Sequence, residues 1–140
     1  MQGLYIDELA VGQFAEMSRV VGVADIEAFA EVSGDNNPVH LDDDYAKGTA
    51  FGERIAHGML SGAYISAILG TKLPGPGAIY LSQSLRFRRP VKVGDLVVAR
   101  ATIKALDVSK GHVTLDTVCE VGGKTVVEGE ALVIAPRRGA

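Results

Sequence analysis

Apolar residues recur along this chain with two different periods, and the change of period divides it near the middle. In the first half the spacing is mostly helical. From Val23 to Ser33, Ile26, Phe29 and Ala30 fall at i, i+3 and i+4; Asp25 and Glu27 suit a first turn and Gly34 a C-terminal stop, which predicts a helix. Gly58 to Leu73 predicts a longer one, ended by Pro74-Gly75-Pro76-Gly77. Its Met59, Leu60, Ala63, Tyr64, Ile65, Ala67, Ile68 and Leu69 cover nearly every face, the pattern of a buried helix, and Gly62 and Ala63 would admit close backbone neighbours. Before these, a Val11-Gly12 turn precedes a first strand over Phe14 to Val21. Between them, Asn36-Asn37-Pro38 predicts a loop over Asp35 to Leu41, and Asp42-Asp43-Asp44 caps a short helical turn through Lys47.

In the second half the period is two. Ile79, Leu81, Leu85 and Phe87 alternate with Ser82, Ser84, Arg86 and Arg88, which predicts a half-buried strand over Ile79 to Phe87. A Val93-Gly94-Asp95 turn leads to a long strand over Leu96 to Leu106. Val113, Leu115, Cys119 and Val121 alternate with polar residues in the next strand, and Gly122-Gly123 joins it as a hairpin to Thr125–Ala135. One buried helix with several long antiparallel strands implies an α+β domain whose sheet wraps round the helix.

Composition narrows the function classes. The chain has 140 residues, 47% hydrophobic and 22% charged, as expected of one globular domain over 1–140. A net charge of −3 gives no general reason to expect nucleic acid or an anionic membrane as partner. Cys119 is the single cysteine, which excludes an intrachain disulfide and a thiolate cluster. The N-terminal MQGLYIDELAVGQ lacks the pattern of a secretory signal, the C-terminal PRRGA is no retention address, and no uncharged stretch is long enough for a membrane helix. A cytoplasmic location is the expectation.

Candidate chemistry concentrates between Ser33 and Ser66. Asp35 and His40 lie five apart in an irregular segment and could converge on one water, the carboxylate taking a proton and the imidazole orienting or relaying. The plainer alternative is an Asx-turn at Asp35 and Asn37 with His40 solvated. At His57-Gly58, an unpaired N–H at the start of the long helix suits a developing oxyanion, while an ordinary helix-start glycine is the simpler account. Ser66, two turns along, could bond Asp35 or only its own helix backbone. The spacing of His40, His57 and Asp42–Asp44 matches neither a zinc motif nor a calcium loop, so no metal is expected. No Gly-x-Ser-x-Gly elbow suggests a serine hydrolase. Arg86, Arg88, Arg89 and Lys92 could hold the phosphates of a nucleotide-bearing thioester carrier, or form a solvated strand face.

The segments SGDNNPVHLDDDYA, ERIAHGML and IYLSQSLRFRRPVKVGD, in this order, resemble the MaoC-like R-specific enoyl-CoA hydratase family, over about Val11 to Ala135. The single-domain length resembles the short bacterial members that supply polyester (polyhydroxyalkanoate) synthesis. The resemblance implies a hot-dog fold and a homodimer with acyl pockets around its interface. It also implies hydration of trans-2-enoyl-CoA to (R)-3-hydroxyacyl-CoA, with no cofactor beyond the coenzyme A of the substrate. By position, Asp35 and His40 match the family's catalytic pair and Gly58 the glycine whose N–H binds the thioester oxygen. Asn37 matches a residue that shapes the loop, Ser66 a serine that orients the Asp, and His57 belongs to the motif without an assigned step. A hot-dog acyl-CoA thioesterase is the first alternative, and it typically lacks a His paired in this way. A non-catalytic acyl-thioester-binding module is the second, and it would leave the Asp–His pair unexplained.

Overall fold

A computed structural model of the chain describes residues 2–139. Met1 and Ala140, at the ends of the expected domain span and of the C-terminal segment, lie outside the described residues. The order of elements is β1 (Phe14–Val20), α1 (Val23–Ser33), α2 (Pro38–Leu41), α3 (Asp43–Lys47), α4 (Gly58–Thr71), β2 (Ile79–Gln83), β3 (Arg86–Phe87), β4 (Leu96–Asp107), β5 (His112–Val121) and β6 (Lys124–Ile134). A short 3-10 turn over Ile6–Glu8 precedes them.

The strands form one antiparallel sheet in the order β1-β4-β5-β6-β2, with β3 also paired to β6. Period-two alternation buries one side of its middle strands: Val97, Ala99, Ala101 and Ile103 on β4, and Val113, Leu115 and Cys119 on β5, are essentially inaccessible. Against that side lies α4, packed chiefly on β4, with Leu60, Tyr64, Ile65, Ile68 and Leu69 in the core. A sheet curved round one central helix is the hot-dog arrangement expected from the sequence.

The helix α4 is not buried on every face: Met59, Ala63, Ser66 and Gly70, spaced i, i+4, i+7 and i+11, form an exposed stripe. The residues on that stripe beyond Met59 are small, so the even spread of apolar letters hid a large-residue face and a small-residue face. Likewise Ile79 to Phe87 is not one half-buried strand. It breaks at Ser84-Leu85 into β2 and β3, and Ile79, Tyr80, Leu81 and Phe87 are all exposed. The break has a local cause. Ser84 N–H donates to the Glu130 carbonyl and Glu130 N–H to Ser84 Oγ, each at 3.0 Å, so the Ser84 carbonyl presses onto Gly129. A Cβ at position 129 would lie 1.8 Å from that oxygen, so only glycine permits the crossing.

The expected loop over Asp35 to Leu41 is also shorter than its sequence suggests, because Pro38–Leu41 forms the helical turn α2. Proline at a first helical position costs nothing, and Asn37 caps it by accepting from Val39 N–H at 3.1 Å. The helix α1 ends as expected, at Gly34 with φ of 80°. Its start is closed by Gly22 N–H donating to the Asp25 carboxylate at 2.9 Å. That bond, with help from Arg19, holds the Asp25 carboxyl below the ordinary carboxylate range despite partial burial.

Candidate active site

The turn between α1 and α2 and the N-terminus of α4 meet over one cavity of about 450 Å³. The irregular segment that follows β3 closes its third side, with Arg88, Arg89, Pro90 and Val91 in its wall. Asp35, His40, His57 and Gly58 all line it, so the structure brings together the sequence-predicted pair and the predicted glycine.

On the loop side, Asp35 is exposed. Its N–H donates to Ser33 Oγ at 3.1 Å, and its Oδ1 accepts from Asn37 N–H at 3.3 Å, which is the Asx-turn named above as the plainer alternative. The turn and a site role are compatible, because the turn occupies one oxygen and leaves the other free.

On the buried side, His40 is 8% exposed, so the solvated His40 of that alternative is not found. Its Nδ1 lies 2.7 Å from the Ile55 carbonyl oxygen. A carbonyl only accepts, so Nδ1 carries a proton, and in the neutral form of the ring Nε2 turns a bare lone pair to its surroundings. His57, at 3% exposure, is fixed by the same logic through Nε2, 2.9 Å from the Asp35 carbonyl oxygen. The two imidazoles stack with centroids 3.9 Å apart and planes 26° apart, and Phe29 closes against His57 at 5.0 Å. A ligating atom from each of Asp35, His40 and His57 falls within 4.8 Å of the other two. Such a set could in principle hold a cation. Each imidazole, however, commits one nitrogen to a carbonyl, and the remaining nitrogen of His57, Nδ1, is fully buried. The geometry suits proton handling better.

Gly58 opens α4 with His57 in the N-cap position. The first N–H groups of a helix have no intrahelical acceptor and sit at its positive end, so the Gly58 N–H is available to an oxygen in the cavity. The Phe87 ring lies directly over this glycine: a Cβ at 58 would come within 2.6 Å of two ring carbons.

The remaining predicted residues divide. Asn37 shapes the loop as expected, through its cap of α2. Ser66 is not brought to Asp35. It lies on the exposed stripe of α4, eight residues and roughly 12 Å of helix axis beyond Gly58, and lines a different cavity with Phe29, Tyr80, Leu81 and Leu85. The buried serine near Gly58 is Ser61. The basic cluster is largely engaged as well. Arg88 is paired with Glu128 at 2.5 Å, Arg89 donates to the Thr125 carbonyl at 2.6 Å, and Lys92 faces Glu53 at 3.8 Å. Arg86 has no ion pair among the described residues but lines a separate groove with Asp116 and Glu128. The Ile55 carbonyl is invisible to sequence reasoning, because a backbone oxygen leaves no residue signature. Alternation marks Phe87 only as an apolar strand position and carries no sign of its contact with Gly58.

Residues 10–130 match the family model described as a MaoC like domain. The chain is 51% identical over 135 residues to the (R)-specific enoyl-CoA hydratase of Rhodospirillum rubrum, covering 96% of this chain and 94% of that one. It is 44% identical to the 3-hydroxybutyryl-CoA dehydratase of Methylorubrum extorquens, over 96% of this chain and 86% of the relative. Among solved structures, R-hydratase PhaJ1 from Pseudomonas aeruginosa superposes with a TM-score of 0.93 at 50% identity, over 97% of this chain and 88% of that one. Fold, motif order and near full-length similarity agree, and the chain belongs to the MaoC-like family of (R)-specific enoyl-CoA hydratases.

Proposed function

We propose that the chain catalyses the reversible addition of water to trans-2-enoyl-CoA, giving (R)-3-hydroxyacyl-CoA. The observation that carries this reading is the meeting, in one cavity, of an exposed carboxylate, an imidazole with a fixed bare nitrogen, and a free helix-terminal N–H.

The reaction needs a nucleophilic water at C3, a proton at C2 and a sink for negative charge on the thioester oxygen. Asp35 and His40 Nε2 both accept hydrogen bonds, so a water between them donates one hydrogen bond to each and turns an oxygen lone pair to C3. As that oxygen bonds C3, Asp35 takes one proton and the C2–C3 π electrons move onto the thioester oxygen, where the Gly58 N–H meets them. The proton then returns to C2 across His40 Nε2. Neutral His40 relays this proton and does not supply one of its own, because its own is committed to Ile55. Both groups finish as they began, so the same site runs the dehydration. Asn37 keeps Asp35 in place through the turn it caps. No step requires a metal or a resident cofactor.

Arg88 and Arg89, at the rim, are the residues best placed to meet the coenzyme's phosphates; for Arg86 and Lys92 the structure offers less support. We further infer a homodimer, supported by the exposed small-residue stripe of α4 and the exposed Ile79, Tyr80 and Leu81 beside it. Light scattering on the purified chain tests this. Among the described residues, no helix is long and apolar enough to cross a membrane.

Loss of enoyl absorbance on a ladder of trans-2-enoyl-CoA lengths, with chiral analysis of the product, tests the reaction. S-configured product, or release of free thiol instead of hydration, would overturn the reading.

A further inference from the structure

The short segment Asp35–Asn37 carries the carboxylate, yet nearly everything that holds it comes from its own neighbours. Ser33 Oγ, the Gly34 carbonyl and the Asn37 N–H all lie within two residues of their partners. Asn37 also accepts from the Val39 and His40 N–H groups, at 3.1 and 3.0 Å, which ties the segment to the turn that follows it. Among the described residues, one long-range hydrogen bond reaches the segment: His57 Nε2–H donating to the Asp35 carbonyl, across 22 positions of sequence. A side chain aimed by so short a turn inherits its direction from the backbone that carries it. Locking the Asp35 carbonyl therefore sets where its Cβ and carboxylate point.

His57 is equipped for that task. It is buried, clamped between the His40 ring at 3.9 Å and Phe29 at 5.0 Å, so it cannot swing away. Its Nδ1 is fully buried and has no hydrogen-bond partner. A proton on Nδ1 would be an unpaired buried donor, whereas a bare lone pair there costs less, so burial and the Asp35 carbonyl select the same tautomer. The ring thus touches both members of the acid–base pair, one through its face and one through its donor.

We propose that His57 is the positioning residue of the site, holding the Asp35 backbone so that its carboxylate and His40 Nε2 share one water. This rests on the hydratase reading above. Misplacing a reacting group by about 1 Å can cost roughly a hundredfold in rate without disturbing substrate affinity in proportion.

Two substitutions separate the donor from the ring. H57F keeps a flat ring for the stack and removes the donor. H57Q removes the ring and puts an amide N–H close to the position of Nε2. With crotonyl-CoA, H57F should lose about ten- to a hundredfold in kcat with KM within about threefold of wild type, and H57Q should stay within about fivefold in kcat. Wild-type kcat in H57F, equal losses in both variants, or a loss confined to KM would overturn the proposal. Should H57F fail to give a cooperative thermal transition, H57N replaces it, since its shorter amide cannot reach. The same kcat loss is expected, and H57Q-like activity in H57N would count against the proposal. An inert wild type would overturn the hydratase reading and this assignment with it, whereas an active wild type with an active H57F would overturn this assignment alone.

Discussion

His40 and Asp35 face one cavity but are held in opposite ways. His40 is buried, its ring stacked on His57 and bonded to a carbonyl fifteen residues away. Asp35 is exposed in a turn of three residues whose bonds, save one, are local. The helix side of the site is part of the folding core, and the loop side is an attachment to it. A carboxylate that must take a proton from water gains from solvent contact, and an imidazole whose tautomer must be fixed gains from burial. The two walls therefore satisfy opposite requirements of one reaction.

That contrast can be broken most directly at its two principal residues. D35N should cost about 10²–10⁴-fold in kcat and leave the melting temperature nearly unchanged, because an exposed carboxylate contributes little to stability. H40Q should cost a comparable factor in turnover and also destabilise the fold by about 1 kcal/mol, through the loss of the bond to the half-buried Ile55 carbonyl. Denaturant unfolding of both variants decides the matter: equal stability losses would show that the two walls are not held differently.

A smaller effect is expected at the meeting of helix and strand. G58A keeps the N–H but places a methyl against Phe87, so kcat should fall about tenfold, and G58A/F87A should recover part of it. A single mutant as active as wild type would mean that the ring moves freely. N37A removes the cap of α2 and should cost about 1 kcal/mol in stability, with activity only modestly reduced, measured by thermal melting and the enoyl assay. The smallest effect concerns Cys119, whose thiol burial pushes up to about 12. It stays a neutral thiol at ordinary pH, so folded protein should not label with a thiol reagent and should add no background to a thiol-release assay.

How much of this was legible in the sequence depends on which groups do the work. The strands β4, β5 and β6 emerge from alternation because their apolar side is buried within the chain itself. The same alternation in β2 and β3 misled, since Ile79, Leu81 and Phe87 turn to a face that this chain alone does not cover. The helix α4 was read as uniformly buried because hydrophobicity ignores size, and Ala63 and Gly70 are apolar without being large. Within the site, side-chain type and spacing mark Asp35, His40 and Gly58 as candidates beside plainer alternatives, and the family resemblance adds their roles and that of Asn37. Ser66 lies two turns beyond Gly58 on the exposed stripe of α4, and letter spacing does not show which face of the helix a residue takes. The Ile55 carbonyl could not be found at all, as every residue has one.

That carbonyl has a last consequence. The bond from His40 Nδ1 forms when the chain folds, before any substrate arrives, so the ring's orientation costs nothing at the moment of reaction. Catalysis preorganised in this way should show little entropic barrier from aligning the imidazole. The alignment is charged to folding instead, and the enzyme is then most sensitive at the Ile55 backbone, where no side-chain substitution can remove the acceptor.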